Sequence, residues 1–348
     1  MGYGSWSDPT YRANTSAAAA AGRSTFDHTK KIKTGAKKAG AHELLDPKAK
    51  AGSASPFAGT VMREVTISDE HPNPTAIAIV LDVTGSNIAA ATVVHAKLPE
   101  LFGILQRKGY VEDPQILIAA IGDAFSDAVP LQIGQFESDN RIDAMVEAMY
   151  LEGNGGGQRS ETYELGAYFL ARHTYLEPFH KQGRKGYAIF IGDEMPYDMV
   201  HRNYGRGGYG VDHTLESLIG DTLEADISTE QIFEELKEQY EVFFLFQKQG
   251  AYDEREILPS WKKLLGERAL VLDDPTAVCE FVAGLLGLLE GGLDLEEIKE
   301  DLKAIGADAS AIKAAGKALA TVIGRGVGVA TTDGVLPINN TTTGTTRL

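Results

Sequence analysis

The string Asp82-Val83-Thr84-Gly85-Ser86 sets three oxygen-bearing side chains at alternate positions directly after the apolar run AIAIVL. Such a run reads as a strand buried on both faces, and the carboxyl ends of strands form the ligand crevice of an open α/β sheet. Carboxylate and hydroxyl oxygens are hard donors, better suited to Mg²⁺ or Ca²⁺ than to a softer transition metal. The competing reading is helix capping, with Asp82, Thr84 or Ser86 accepting hydrogen bonds from the free N–H groups of the next helix. Two further segments tilt the balance toward a metal. Residues 152–162 (EGNGGGQRSET) form a Gly-rich loop entering a helix at Thr162, and residues 191–196 (IGDEMP) end an apolar strand in Asp193 and a turn. Each brings oxygen donors to another strand end or adjoining loop of the same sheet.

To bring these segments together, the chain needs a layered fold, and its periodicity supplies one. Short β-branched runs at 76–82, 116–121, 129–136, 187–193, 241–246 and 269–272 alternate with helical stretches at 88–110, 141–151, 162–180, 228–240, 253–265 and 275–290. This is the pattern of a doubly wound, mostly parallel sheet covered on both faces. Only residues 122–128 separate the second strand from the third, room for a hairpin and not for a crossover helix, so the third strand is expected to be an antiparallel edge. Pro99 should kink or split the first long helix. Amphipathic stretches at 294–305 and 309–323 read as a helical hairpin appended to the sheet domain.

Composition bounds the rest. In 348 residues, 43% are hydrophobic and 24% charged, which supports a substantial core. The net charge of −16 argues against general nucleic-acid affinity. It is unevenly spread: residues 1–60 hold nine basic against four acidic side chains, while the remainder carries −21. Residues 1–71 are rich in Ala, Gly, Ser and Lys with few apolar anchors and are expected to be an extended or disordered arm, either a passive solvated tail or one that docks on a partner or neighbouring subunit, with residues 1–60 folding, if at all, only there. A Gly/Thr-rich tail is expected over 325–348. A single cysteine, Cys279, excludes an internal disulfide. With no long apolar span and no compact signal core, a soluble cytoplasmic protein is expected.

The order of the three oxygen-bearing segments resembles the metal-ion-dependent adhesion site (MIDAS) of the von Willebrand factor A (vWA) domain family: Asp-x-Thr-x-Ser, then a Thr after a Gly-Gly loop, then an Asp ending the next central strand. The resemblance covers about residues 72–291. It implies that Thr84 and Ser86 ligate a divalent ion directly, that Asp82 and Asp193 contribute directly or through water, and that Thr162 is the switchable ligand, with Ser160 its competitor. Two carboxylates roughly neutralise Mg²⁺ or Ca²⁺, and the hydroxyls add no charge, so the cation stays electrophilic toward a partner's Asp or Glu. Intracellular bacterial members of the family often act beside AAA+ ATPases of the MoxR type, which makes an adaptor in an assembly or remodelling complex the expected role. Nothing in the set offers an evident nucleophile or general base, so the chain is not expected to be an enzyme. The rivals are a metal-dependent phosphate hydrolase and a structural subunit laced to its neighbours by its tails.

Gly205-Arg-Gly207-Gly-Tyr-Gly210 matches a dinucleotide fingerprint but follows a polar loop instead of a buried strand. It reads better as a loop over the metal face, with Arg202, Tyr204, Arg206 and Tyr209 offering charge and aromatic surface to an acidic partner. His173 and His180, seven residues apart, read as ordinary packing or surface histidines.

Overall fold

The computed structural model describes residues 4–22, 25–85, 88–153, 159–207, 210, 212–248, 252–290, 292–326, 330–331 and 334–335. Six apolar segments become the strands of one central sheet: β1 (Thr75–Asp82), β2 (Pro114–Ile121), β3 (Leu131–Ile133), β4 (Gly186–Gly192), β5 (Tyr240–Gln247) and β6 (Ala269–Leu272). Their order is β6-β5-β4-β1-β2-β3, parallel throughout except for β3, which runs antiparallel to β2. The chain winds outward from β1 to β3 and then returns to start β4 on the other side of β1. The β1/β4 boundary is therefore a topological switch point, where the connecting loops diverge and leave a crevice.

Side-chain alternation divides the strands between two cores. Ile77, Ile79 and Leu81 of β1, with Ile189 and Ile191 of β4, face one layer; Ala78, Val80, Ala188 and Phe190 face the other. The first layer contains helices α1 (Ile88–Phe102), α2 (Arg141–Glu147) and, later in the chain, Val278–Leu289. The second contains α3 (Tyr163–Arg172), α4 (Thr229–Gln239) and α5 (Glu254–Leu265). We label Val278–Leu289 α6, and the C-terminal pair α7 (Leu295–Ala304) and α8 (Ala309–Gly324). Asp294 starts α7 with a reciprocal capping box to Glu297. Ala311, Ala315, Leu319 and Val322 of α8 are buried in the first core, so the hairpin is integral to that layer. Arg325, just past α8, donates to Glu267 O and Ala269 O at the start of β6. Among the described residues no helix is long and apolar enough to cross a membrane.

Several expectations need correction. The helix expected over 162–180 is interrupted: α3 ends at Arg172, Thr174–Leu176 pairs in parallel with Arg63–Val65, and a new helix starts at Glu177, with Pro178 in its first turn, where its missing N–H costs nothing. α1 continues through position 99 to Phe102 and gives way to a π-helical turn at Gly103–Arg107. The basic N-terminal segment is not simply extended. It forms helices Asp8–Ala20 and Asp27–Lys33, and Trp6, Phe26 and Leu45 are buried in the first core. Polar contacts fix it further: Ser7 N donates to Asn140 Oδ1 at 3.0 Å, and Thr29 Oγ1 donates to Met149 O at 2.8 Å. Most of the expected Gly/Thr-rich tail lies outside the described residues. His173 approaches Asp221 and His180 stacks on Tyr175, so the two histidines serve separate neighbours.

Candidate metal centre

β1 ends at Asp82 and β4 at Gly192, with Leu81 opposite Ile191, so Asp82 and Asp193 leave the sheet side by side at the switch point. Both are buried. Asp82 Oδ1 accepts from Thr84 N at 2.9 Å and from Thr84 Oγ1 at 2.6 Å. The carboxylate thus closes the turn that precedes α1, while Thr84 O accepts from Ile88 N at 3.1 Å. Asp82 Oδ2 accepts from Tyr163 OH at 2.8 Å. Tyr163 opens α3 and stands edge-on to Trp261, which stacks on Phe244 with ring centroids 3.8 Å apart. Its phenol passes over Gly192, where a Cβ would come 1.9 Å from the oxygen and 3.0 Å from Asp82 Cβ. Glycine at the end of β4 is therefore what lets the phenol reach the carboxylate.

Thr162, also buried, donates to Gly122 O through both its N–H, at 3.1 Å, and its Oγ1. This ties the entry of α3 to the end of β2 and leaves the hydroxyl's lone pairs available as an acceptor. Ser160, its expected competitor, is only half-buried and pairs with Met195, as Glu161 does with Pro196. That short parallel ladder sets Glu161 against Glu194. After β2, Asp127 Oδ2 accepts from Asp123 N at 2.8 Å, and Gly122 lets that carboxylate approach Thr84. Glu152 clamps the same loop by accepting from Ala128 N and Val129 N. Ser86 lies outside the described residues.

The centre gathers buried negative charge. Asp82, Asp127, Glu161, Asp193 and Glu194 are each at most 5% exposed. Asp127, Glu161 and Glu194 have no basic side chain within ion-pair distance among the described residues, and Asp127 Oδ1, Glu161 Oε2 and Glu194 Oε2 are buried with no donor pointing at them. Burial first, then the charges of Asp82 and Glu194, pushes Glu161 far above the usual carboxylate range. Burial, with Asp82 and Asp193 adding repulsion, raises Glu194 to about 7; burial, with Glu152, Asp123 and Asp82, raises Asp127 to about 7. Protons, water or a cation must satisfy such a cluster. An all-oxygen donor set with surplus negative charge and unsatisfied buried acceptors fits a hard divalent ion. Asp82, Thr84, Thr162 and Asp193 are the groups here that could hold one.

The segment expected to cover this face is folded against it. Asn203–Arg206 pairs antiparallel with Asp212–Thr214, and His213 Nδ1 contacts Ala124 O at 2.8 Å, which seats the hairpin on the loop after β2. Its side chains differ from expectation. Tyr204 is buried, 3% exposed, with its hydroxyl 3.4 Å from Glu164 Oε1 and its ring against Phe125 and His201, so it supports the loop instead of contacting a partner. Arg202 holds Asp226 and Glu224 O. Arg206 is well exposed, 3.4 Å from Asp212, and Tyr209 lies outside the described residues. Residue patterns missed the second ring of Tyr163, Asp127, Glu161 and Glu194. The one available signal was that each is polar beside an apolar strand or at a helix entry.

No family model matches the chain, and no curated protein matches it. Among solved structures, the pilus adhesin SpaC from Lactobacillus rhamnosus GG, in its open conformation, aligns with a TM-score of 0.43 and 12% identity over 65% of this chain and 31% of the adhesin. Proximal thread matrix protein 1 from the mussel byssus, crystal form 2, aligns with a TM-score of 0.40 and 10% identity over 61% of this chain and 47% of that protein. The chain thus spans less than half the length of either structure.

Proposed function

We propose that this protein is a metal-dependent protein-binding module of the von Willebrand A type, in which Mg²⁺ or Ca²⁺ at the strand ends engages a carboxylate of a partner protein. The observation that carries this reading is the meeting of Asp82, Thr84, Thr162 and Asp193 at the switch point of a sheet ordered 3-2-1-4-5-6. Bound there, the ion would supply Lewis acidity toward an incoming oxygen ligand. The chain's own groups do the positioning. Tyr163 and Thr84 orient the two oxygens of Asp82, and Gly122 O holds the Thr162 hydroxyl. The hairpin at 203–214 would frame the entrance through Arg206. The role we assign is an adaptor, and a MoxR-type AAA+ ATPase is the first partner class to try.

The test titrates Mg²⁺ and Ca²⁺ into the full chain by calorimetry and repeats the titration with Asp82→Ala. The chain should bind one ion, and the variant should lose it. In parallel, the tagged protein captures partners from extract with and without chelator, and p-nitrophenyl phosphate reports any hydrolysis. Unchanged ion affinity in Asp82→Ala would refute the site. Metal-dependent phosphate turnover that vanishes in the variant would favour the hydrolase instead.

A further inference from the structure

At the seam between α1 and α2, a different set of donors converges. His95 of α1 meets Asp143 and Glu147, which lie one turn apart on α2. His95 Nε2 is 3.3 Å from Asp143 Oδ1 and 3.6 Å from Glu147 Oε1, and the three ligating atoms all lie within 4.8 Å of one another. Among the described residues this is the only group of three or more His, Cys, Asp or Glu side chains so arranged. Its separations are long for hydrogen bonds, which centre near about 2.9 Å. Neither His95 Nε2 nor Asp143 Oδ1 has a hydrogen-bond partner, although the two residues are only 6% and 3% exposed. The same separations suit two ligands of one ion: donors about 2.0–2.1 Å from a tetrahedral centre stand about 3.3–3.4 Å apart.

We propose that His95, Asp143 and Glu147 form a second divalent-cation site, selective for a first-row transition ion such as Zn²⁺ and independent of the strand-end centre. The imidazole supplies the selectivity, because nitrogen donors favour Zn²⁺ and its neighbours over Mg²⁺ and Ca²⁺. Two carboxylates balance the charge, and three protein ligands leave a fourth position for water. The N-terminal segment shields one side. Tyr11 OH donates to His95 O at 3.3 Å, and the Tyr11 and Phe26 rings lie 6.4 and 5.8 Å from the imidazole. Glu147 is the most exposed of the three and lines a cleft of about 270 Å³ with Asp27, His28, Lys31, Lys37 and His42, so it is the ligand nearest solvent. The site would thus pin α1 to α2 directly beneath the basic segment. The competing account is direct contact of the imidazole with the two carboxylates and no ion between them.

The experiment uses untagged full chain, stripped with chelator, desalted and saturated with Mg²⁺. Zn²⁺ is titrated by calorimetry, and Co²⁺ is added separately for its visible spectrum. One Zn²⁺ per chain is expected, with the absorption of four-coordinate Co²⁺. Affinity should fall at least about 100-fold in Glu147→Gln and in His95→Gln, and should hold in Asp82→Ala. Glu147 lies at the end of α2 with its side chain 29% exposed, so its variant keeps the test valid should His95→Gln fail to fold. Absence of Zn²⁺ uptake by the parent chain, or equal affinity in Glu147→Gln, overturns the proposal and leaves the three side chains in direct contact without an ion.

Discussion

The strand-end centre collects carboxylates and hydroxyls from the loops after β1, β2 and β4 and the entry of α3, whereas the α1–α2 seam uses three side chains on two helices. The first is all oxygen, and its surplus charge is held in place by hydrogen bonds from Tyr163 and Thr84. The second includes nitrogen, balances one divalent ion, and leaves its imidazole Nε2 without a hydrogen bond. Loops allow a ligand set to adjust when an outside group arrives, while helix positions hold donors at fixed separations. The contrast suits an exchanging hard ion in one place and a resident transition ion in the other.

The largest expected effect comes from the aromatic scaffold beneath Tyr163. Trp261 is fully buried, stacks on Phe244, supports Tyr163 and donates to Glu194 O at 2.9 Å. Trp261→Ala should cost about 3–5 kcal/mol in urea unfolding and weaken Mg²⁺ binding while sparing Zn²⁺. Loss of both affinities together would show that the two regions share one support. A sharper division comes from crossing the variants: Asp82→Ala should depress Mg²⁺ affinity, and Glu147→Gln Zn²⁺ affinity, each by about 100-fold or more. Calorimetry on all four protein–ion combinations decides it.

Gly192→Ala has a smaller expected effect. The added methyl displaces the Tyr163 phenol, so stability should drop by about 1–3 kcal/mol, read by thermal melting. Tyr163→Phe should rescue part of this by removing the clashing oxygen. The smallest effect lies at the rim. Arg202 N–H, His201 and the Arg202 side chain hold Asp226 at about 2, below its ordinary 3.8. A depressed carboxylate stabilises the fold above its unfolded value and loses that contribution as pH falls through its folded value. Asp226 is largely exposed, so the effect should be local: its carboxyl carbon, followed by NMR, should titrate near 2, and the strand pair Met199–Val200 with Ile227–Ser228 should loosen only below pH 3.8.

How much of this was readable beforehand depended on how local each signal is. Asp82, Thr84 and Asp193 stand at the ends of continuous apolar runs, and a strand end is where an acid has a reason to be. The winding order followed from alternation and from the short gap at 122–128. Tyr163 was legible only as a helix start, because its role depends on the missing Cβ of Gly192, which lies 29 residues further along the chain. His95 and Asp143 are 48 residues apart and form no motif; only the crossing of two helices unites them. The N-terminal segment misled because composition averages over many Ala and Lys residues, while three anchors, Trp6, Phe26 and Leu45, decide where it sits. Tyr204 misled in the opposite sense. An aromatic among glycines reads as display, yet Phe125 offered it a place to pack.

β3 is three residues long, and β6 is four, with the Ala269 carbonyl already taken by Arg325 and Asp273 just beyond it salt-bridged to Lys317 of α8. Short, occupied edges deny another chain a template for strand addition. Among the described residues the two borders of the central sheet are therefore poor places for a second chain to add a strand. Removal of α7 and α8 would bare β6, and the truncated chain is expected to self-associate more than the full chain, as light scattering would report.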